Sequence, residues 1–321
     1  MDLRRTLAAT LVCTGLLLSG CGNGDNTAKP AGEKQQQQTR QQQTEIEKYN
    51  AYVDAANTGP AFSDVLQTYE KYIPAQLASG KPLDDYYSVS DTAISRQLTL
   101  LNKAMAIPYD MPELDAPAKA MVKALSDLQP IQAQLGPYAD SKGYLADGGQ
   151  KAREMQPAFI DAMHAVIAAQ EQFYDGLRKR DEINTQAAFD NAEKDTAEYY
   201  RAGIVLTAKK AMRSGRDFFN AQGSEASAKA FEQDINAAAD MVQKWDAKVR
   251  AKQPQGCDSA LSPMNQFIGD ARSSIQHARR GDYKNASPAG AYFSTQKRDA
   301  EGFQQDYANL INALNRDDCR F

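Results

Sequence analysis

The chain has 321 residues, 24% of them charged, a formal charge of −4 and only two histidines. A mildly acidic chain without a dense basic stripe is a poor nucleic-acid binder, so no nucleic-acid partner is expected. Alanine, glutamine, lysine and glutamate abound while valine and isoleucine are sparse, which favours helix over strand.

The first 20 residues read as an address. Arg4 and Arg5 form a short positive region, and Thr6 to Leu18 is apolar apart from Thr6, Thr10 and Thr14. The run suits the apolar part of a signal peptide and is too short for a membrane span, which takes about 20 apolar residues. Leu18-Ser19-Gly20-Cys21 follows and resembles the lipobox of bacterial lipoproteins. That resemblance implies that Cys21 receives a diacylglyceryl group and becomes the first residue of the mature chain. The bland alternative is an ordinary secretory signal that contains a cysteine. Two or more acyl chains, at about 0.8 kcal/mol per buried methylene, give a stable anchor, so the lipid bilayer is an expected partner. In enteric bacteria an aspartate after the lipidated cysteine usually retains a lipoprotein at the inner membrane. Gly22 and Asn23 follow here, so the resemblance implies the periplasmic face of the outer membrane rather than the inner one. Processing would remove Asp2, Arg4 and Arg5 and move the formal charge from −4 to −5.

From Gly22 to about Thr44 no aliphatic side chain exceeds alanine, and Gln35–Gln38 and Gln41–Gln43 dominate. Such a stretch cannot bury enough apolar surface to offset chain entropy. It predicts a flexible tether over 21–44, turning helical near its end, with an end-to-end distance of about 25 Å for about 20 flexible residues.

From Glu45 onward the apolar residues recur with a helical period. Ile46, Tyr49, Val53 and Asn57 begin a helix that stops at Gly59-Pro60. Phe62, Val65, Leu66, Tyr69, Tyr72 and Ile73 continue the face up to Pro74, before a loop at Gly80-Lys81-Pro82. Ser90 or Asp91 is placed to cap a helix carrying Ile94, Leu98, Leu101 and Met105. Leu114, Met121, Leu125, Leu128 and Leu135 mark the next, with Pro130 predicted to kink or interrupt it. Gly136 to Gly149 is the best boundary between an N-terminal helical part, 45–140, and a C-terminal long-helix bundle, 150–321; one continuous domain is the alternative. Phe159, Met163, Val166, Ile167, Phe173, Tyr174 and Leu177 form a stripe on the longest helical region. Neither Gly nor Pro occurs between Arg178 and Ala197, so that region either continues through Met212 or breaks near Asp181; continuity is preferred slightly. Phe231, Ile235, Ala238, Met241, Val242, Trp245 and Val249 form a clean stripe, and a last pair of helices is predicted near 262–280 and 289–315. The fold class is all-α: elongated antiparallel helical bundles after a disordered N-terminal tether.

Cys13 leaves with the signal and Cys21 is committed to lipid, so Cys257 and Cys319 remain. In an oxidising compartment one disulfide is the simplest outcome, and two free buried thiols are the alternative. Closing a span of roughly 60 residues would contribute about 4 kcal/mol.

Chemistry is thin. Asp161 and His164 share a helix face, with Glu171 two turns on, and are weak metal candidates; a polar, solvated histidine is the bland reading. A di-iron bundle needs paired Glu-x-x-His motifs that two histidines in this setting do not supply. No Gly-x-Ser-x-Gly elbow and no phosphate-cradling glycine motif occurs. No catalytic residue and no cofactor is therefore expected. The short basic groups read as solvated helix faces, and the 15 tyrosines suit helix interfaces with a wet edge.

The segment Glu198 to Lys210, Tyr49-Asn50, and Met264 to Ile268 occur in an order that resembles the YiiG-like bacterial lipoproteins. The resemblance runs from about residue 45 to 315 and implies an all-helical envelope domain of unknown function with no catalytic residues to carry over. Tyr199, Tyr200, Lys209 and Asn265 are then candidates for a shared groove, with core packing as the competing reading. The expectation is a non-enzymatic envelope lipoprotein that binds a ligand or an envelope protein partner through its helical body. A periplasmic metal-binding protein using Asp161 and His164 is the alternative, and a hydrolase with acids drawn from several helices comes last.

Overall fold

The computed structural model describes residues 31–79, 81, 83–284 and 294–316. The lipobox with Cys21, the first part of the tether and Cys319 lie outside the described residues. Among the described residues every regular element is a helix: α1 Ala31–Thr58, α2 Phe62–Ala78, α3 Asp91–Met105, α4 Pro112–Asp140, α5 Gly143–Ala146, α6 Gln150–Asn191, α7 Ala197–Asn220, α8 Glu225–Lys252, α9 Asp258–Arg279 and α10 Thr295–Leu314. None of these helices is long and apolar enough to cross a membrane. The all-α expectation holds.

Local chemistry sets the helix ends. Ser90 caps α3 by accepting a hydrogen bond from the Ala93 amide, Thr196 caps α7 through the Tyr199 amide, and Ser294 caps α10 through the Lys297 amide. Each side chain satisfies an amide that the helix cannot. Helix α1 begins at Ala31, so the glutamine-rich stretch read as tether is helical from there. Glutamine is a good helix former, and the chain joins a helix already held at Tyr49, Tyr52 and Val53, which are buried.

Three sequence expectations need correction. The interruption expected at Pro130, though not the kink, is set aside, because helix α4 runs through Pro117, Pro130 and Pro137. A mid-helix proline costs about 3 kcal/mol, but buried Met121, Leu125, Leu128 and Leu135 lie along the same helix, and each buried side chain contributes about 1.5–3 kcal/mol. The region 150–220 is two helices, neither continuous nor broken near Asp181. It breaks after Asn191, where Asp195 takes a left-handed φ of 62°, a conformation that aspartate tolerates better than most residues. The glycine-rich stretch 136–149 is not the boundary. The chain separates into two compact units between Asp181 and Glu182, within α6. The glycines instead serve local turns: Gly148 and Gly149 have positive φ, and the neighbouring Tyr138 and Tyr144 are buried in the core of the first unit.

The N-terminal unit packs α1 on α3, α3 on α4, and α4 on α5. Helix α6 joins through ring contacts, Tyr52 with Phe173 and Tyr69 with Phe159. Gln170, buried at 5% exposure, secures the α1–α2 turn. Its Oε1 accepts from the Phe62 amide at 3.3 Å and its Nε2 donates to the Pro60 carbonyl at 2.9 Å.

The C-terminal unit is a four-helix bundle joined by the last part of α6. Helices α7, α8, α9 and α10 pack in a closed ring, each against the two that flank it. Successive contacts run in opposite directions: Phe218 with Phe231 and Gly203 beside Met241 for α7–α8, and Phe267 with Phe303 below His277 with Asp299 for α9–α10. The bundle is therefore antiparallel. Its core holds Phe218, Phe231, Trp245, Phe267 and Phe303.

Candidate functional site

In the N-terminal unit, α1 carries Glu45, Lys48 and Tyr52 at spacings of three and four, hence on one face. The start of α4 brings Glu113 and Asp115 to that face, and α6 brings Arg180. Lys48, only 3% exposed, pairs with Asp115 at 2.7 Å and donates to the Tyr109 carbonyl at 2.5 Å. Tyr52 donates to Asp115 at 2.5 Å, and the Met111 amide donates to its other oxygen at 2.9 Å. Arg180 bridges Glu45 and Glu113, while Tyr109 donates to Glu45 at 2.7 Å. Burial pushes the Asp115 carboxyl up, but hydrogen bonds from Lys48, Tyr52 and the Met111 amide, with the Lys48 charge, outweigh it and hold it below the ordinary value. Burial and the Asp115 contact push the Tyr52 phenol up. An acid held ionised beside a phenol held protonated has no proton to exchange near neutrality. The geometry is that of a clamp across α1, α4 and α6.

A second cluster explains many of the tyrosines. Tyr69, Tyr86, Tyr138 and Tyr144 form edge-on and tilted ring contacts at 5.7–6.3 Å, and Tyr87 meets Tyr69 at 6.3 Å. Tyr138 donates to Asp147 at 2.8 Å. Burial is the main reason that the Tyr69 phenol is pushed up to about 12. These rings are core with polar edges.

The C-terminal unit holds the groove candidates. Tyr199 stacks on Phe189 at 4.6 Å, Lys194 covers Tyr199 at 4.4 Å, and Tyr200 meets Tyr199 edge-on at 5.2 Å. Tyr200 donates to Asp195 at 2.8 Å, and Lys248 pairs with the same carboxylate at 2.6 Å. Tyr199 and Tyr200 are thus together at the α6–α7 corner, half-buried. Lys209 lies further along α7 and donates to Thr185 at 2.7 Å. Asn265 is exposed on α9, a helix that packs on α8 and α10. Lys209 is thus further along α7 than the tyrosine pair, and Asn265 is on another helix. Gly203, between them on α7, lets the helix approach: a Cβ there would lie 2.8 Å from Met241 Sδ and 3.1 Å from Phe189.

Asp161 and His164 are both exposed on α6. His164 Nε2 lies 4.0 Å from Glu70 Oε1 on α2, and among the described residues no group of three or more His, Cys, Asp or Glu side chains is placed to hold a metal ion. Cys257, 7% exposed, precedes α9 with Ser259 Oγ 3.4 Å from its sulfur; Cys319 is outside the described residues.

Sequence reasoning missed the polar groups of the α9–α10 seam. His277 Nδ1 lies 2.6 Å from Asp299, which also accepts from Tyr283 at 3.0 Å. Two turns along, Asp306, only 4% exposed, meets the Asp270 carboxyl; burial first, then Asp270, pushes Asp306 up to about 6. The signal was available: Asp306 falls on the stripe Phe303, Tyr307 and Leu310, where a charged side chain is out of place.

These observations define the class: an all-α protein of helical bundles whose buried charges tie helices to one another. Residues 43–316 match the family described as a protein of unknown function, DUF3829. The chain belongs to that family. No curated protein and no solved structure matches it. Of the residues carrying the YiiG-like resemblance, Tyr49, Gly203, Ile204, Thr207, Ala208, Met264, Phe267 and Ile268 are buried, and the others are partly or fully exposed.

Proposed function

We propose that this protein is a lipid-anchored envelope lipoprotein of the YiiG-like kind, whose helical body acts by binding a partner rather than by catalysis. The observation that carries the reading is Leu18-Ser19-Gly20-Cys21 directly after a short apolar run, which fits lipidation at Cys21 and leaves no spanning segment. The fate of the buried charges supports the second half. Lys48, Asp115, Arg180, Glu45 and Glu113 are spent on one another, so they position helices and present no acid and base to a substrate. The outer membrane's periplasmic face is the proposed location.

The partner is sought directly. A photo-crosslinking residue is placed in living cells at Tyr72, exposed on α2, and at Tyr199 and Tyr200. The reading expects a discrete adduct from at least one position that survives washing and is lost from a neighbouring control position. No specific adduct at any of them, together with turnover of a hydrolase substrate abolished by one polar substitution, would overturn it.

A further inference from the structure

Helices α9 and α10 meet along a stacked aromatic seam, Phe267 on Phe303 at 4.7 Å and Phe267 near Tyr307 at 6.1 Å. Two polar rungs interrupt it. On each helix the rung residues are seven apart, His277 and Asp270 on α9, Asp299 and Asp306 on α10. Heptad spacing keeps both rungs on the facing surfaces. The first is a histidine against a carboxylate; the second is a carboxyl against a carboxyl.

We propose that the α9–α10 seam is a proton-operated latch, tight in mildly acidic solution and loosened as the pH rises toward neutral. Burial and the facing Asp270 carboxyl both disfavour the ionised form of Asp306. Asp306 Oδ2 is buried and has no donor among the described residues, so ionising Asp306 leaves that oxygen's charge without a partner. On the other rung, His277 Nδ1 lies 2.6 Å from Asp299, which fixes the register that sets Asp270 opposite Asp306.

The surroundings do not cancel this. Asp299 also faces Tyr283 and its neighbour Arg298, at 3.0 and 3.3 Å. On the α7 side, Lys209 and Arg213 reach Thr185 and Glu182 of α6, and Arg216 lies beside Asp217. The buried residues of α7 include Ala208, Ala211 and Gly215, and none of its buried residues is charged. On the α8 side, Glu232 takes Arg279 and Asn236 takes Arg272. Lys297 of α10 reaches its own Glu301 at 3.9 Å.

The sign follows from linkage. The Asp306 carboxyl is raised on folding from 3.8 to about 6. The unfolded chain therefore gives up the proton first, and stability falls as the pH rises between those values and stays low above them. The shift corresponds to roughly a hundredfold in the folding equilibrium.

Trp245 is the only tryptophan and is buried in this bundle at 1% exposure, so its fluorescence reports this unit. Urea unfolding of the full chain, followed at Trp245 from pH 4.5 to 7.5, should show the wild type losing ten- to a hundredfold in its equilibrium constant. Asp306→Asn should flatten that fall and exceed the wild type at pH 7.5. Asp270→Asn, on an exposed side chain, should flatten it too, which keeps the test open if Asp306→Asn does not fold. A fall that persists unchanged in Asp270→Asn overturns the latch. So does a wild type whose stability at pH 7.5 drops on adding a chelator, since the pair would then be bridged by a cation.

Discussion

Replacing Asp115 with alanine is the sharpest probe of the N-terminal clamp. The substitution strands Lys48, whose side chain is 3% exposed, with the Tyr109 carbonyl as its remaining acceptor, and takes the acceptor from Tyr52. Breaking a buried pair from one side costs about 3–5 kcal/mol, because the surviving charge stays desolvated. Lys48→Met should cost less, about 1–3 kcal/mol, because Asp115 is 29% exposed and keeps donors from Tyr52 and the Met111 amide. The double variant Lys48→Met/Asp115→Leu removes both charges and should fall within about 2 kcal/mol of the wild type. Urea unfolding followed by far-ultraviolet circular dichroism measures all three. The pH dependence adds a second reading. The Asp115 carboxyl lies below its ordinary 3.8 in the fold, so its stabilisation is complete above that value and is lost as the pH falls through the lower, folded one. The gap between wild type and Asp115→Ala should therefore close in strong acid. A cost below about 1 kcal/mol for Asp115→Ala at pH 7, or single costs that add up to the double, would refute the clamp.

Two further outcomes are expected. Gly176→Ala should destabilise by about 1–3 kcal/mol in thermal melts, reversing the usual gain from alanine in a helix, because the new Cβ would sit 2.2 Å from the Glu113 carbonyl, a backbone atom that cannot yield; a raised melting temperature would contradict the close packing of α6 on α4. Thiol labelling of the denatured, unreduced protein should find neither Cys257 nor Cys319 reactive, and reduction should lower stability by up to about 4 kcal/mol; two reactive thiols would rule out the disulfide expected between them.

The helices were legible because their apolar residues keep a 3.6 period and because Ser90, Thr196 and Ser294 are good caps. What one-dimensional pattern could not reveal was which turn stops a helix and which only bends its composition. Pro130 lies in a helix held along its length by Met121, Leu125 and Leu135, whereas Asp195, unremarkable in sequence, ends a run through a left-handed backbone. The unit boundary was hidden for a related reason, since it falls inside a continuous helix whose proline and glycine, Pro157 and Gly176, both lie short of it. Ile46 was placed on the buried stripe of α1 but is 41% exposed, while Lys48 is buried. Hydrophobicity alone assigns the two the wrong way round, and only the carboxylate of Asp115, 67 positions away, makes a buried lysine tolerable. Tyr199 and Tyr200 were found together, as neighbours in sequence must be. Lys209 and Asn265 were linked to them by family resemblance, which carries no distance.

The proposed function rests on where the body is held, so the covalent state of Cys21 is the direct test. The intact mass of protein purified from membranes should be that of a chain beginning at Cys21 and carrying a diacylglyceryl group, with partitioning into the detergent phase, and Cys21→Ser should abolish both. A chain that retains its first 20 residues or an unmodified Cys21, or a Cys21→Ser protein that still enters the detergent phase, would contradict the account.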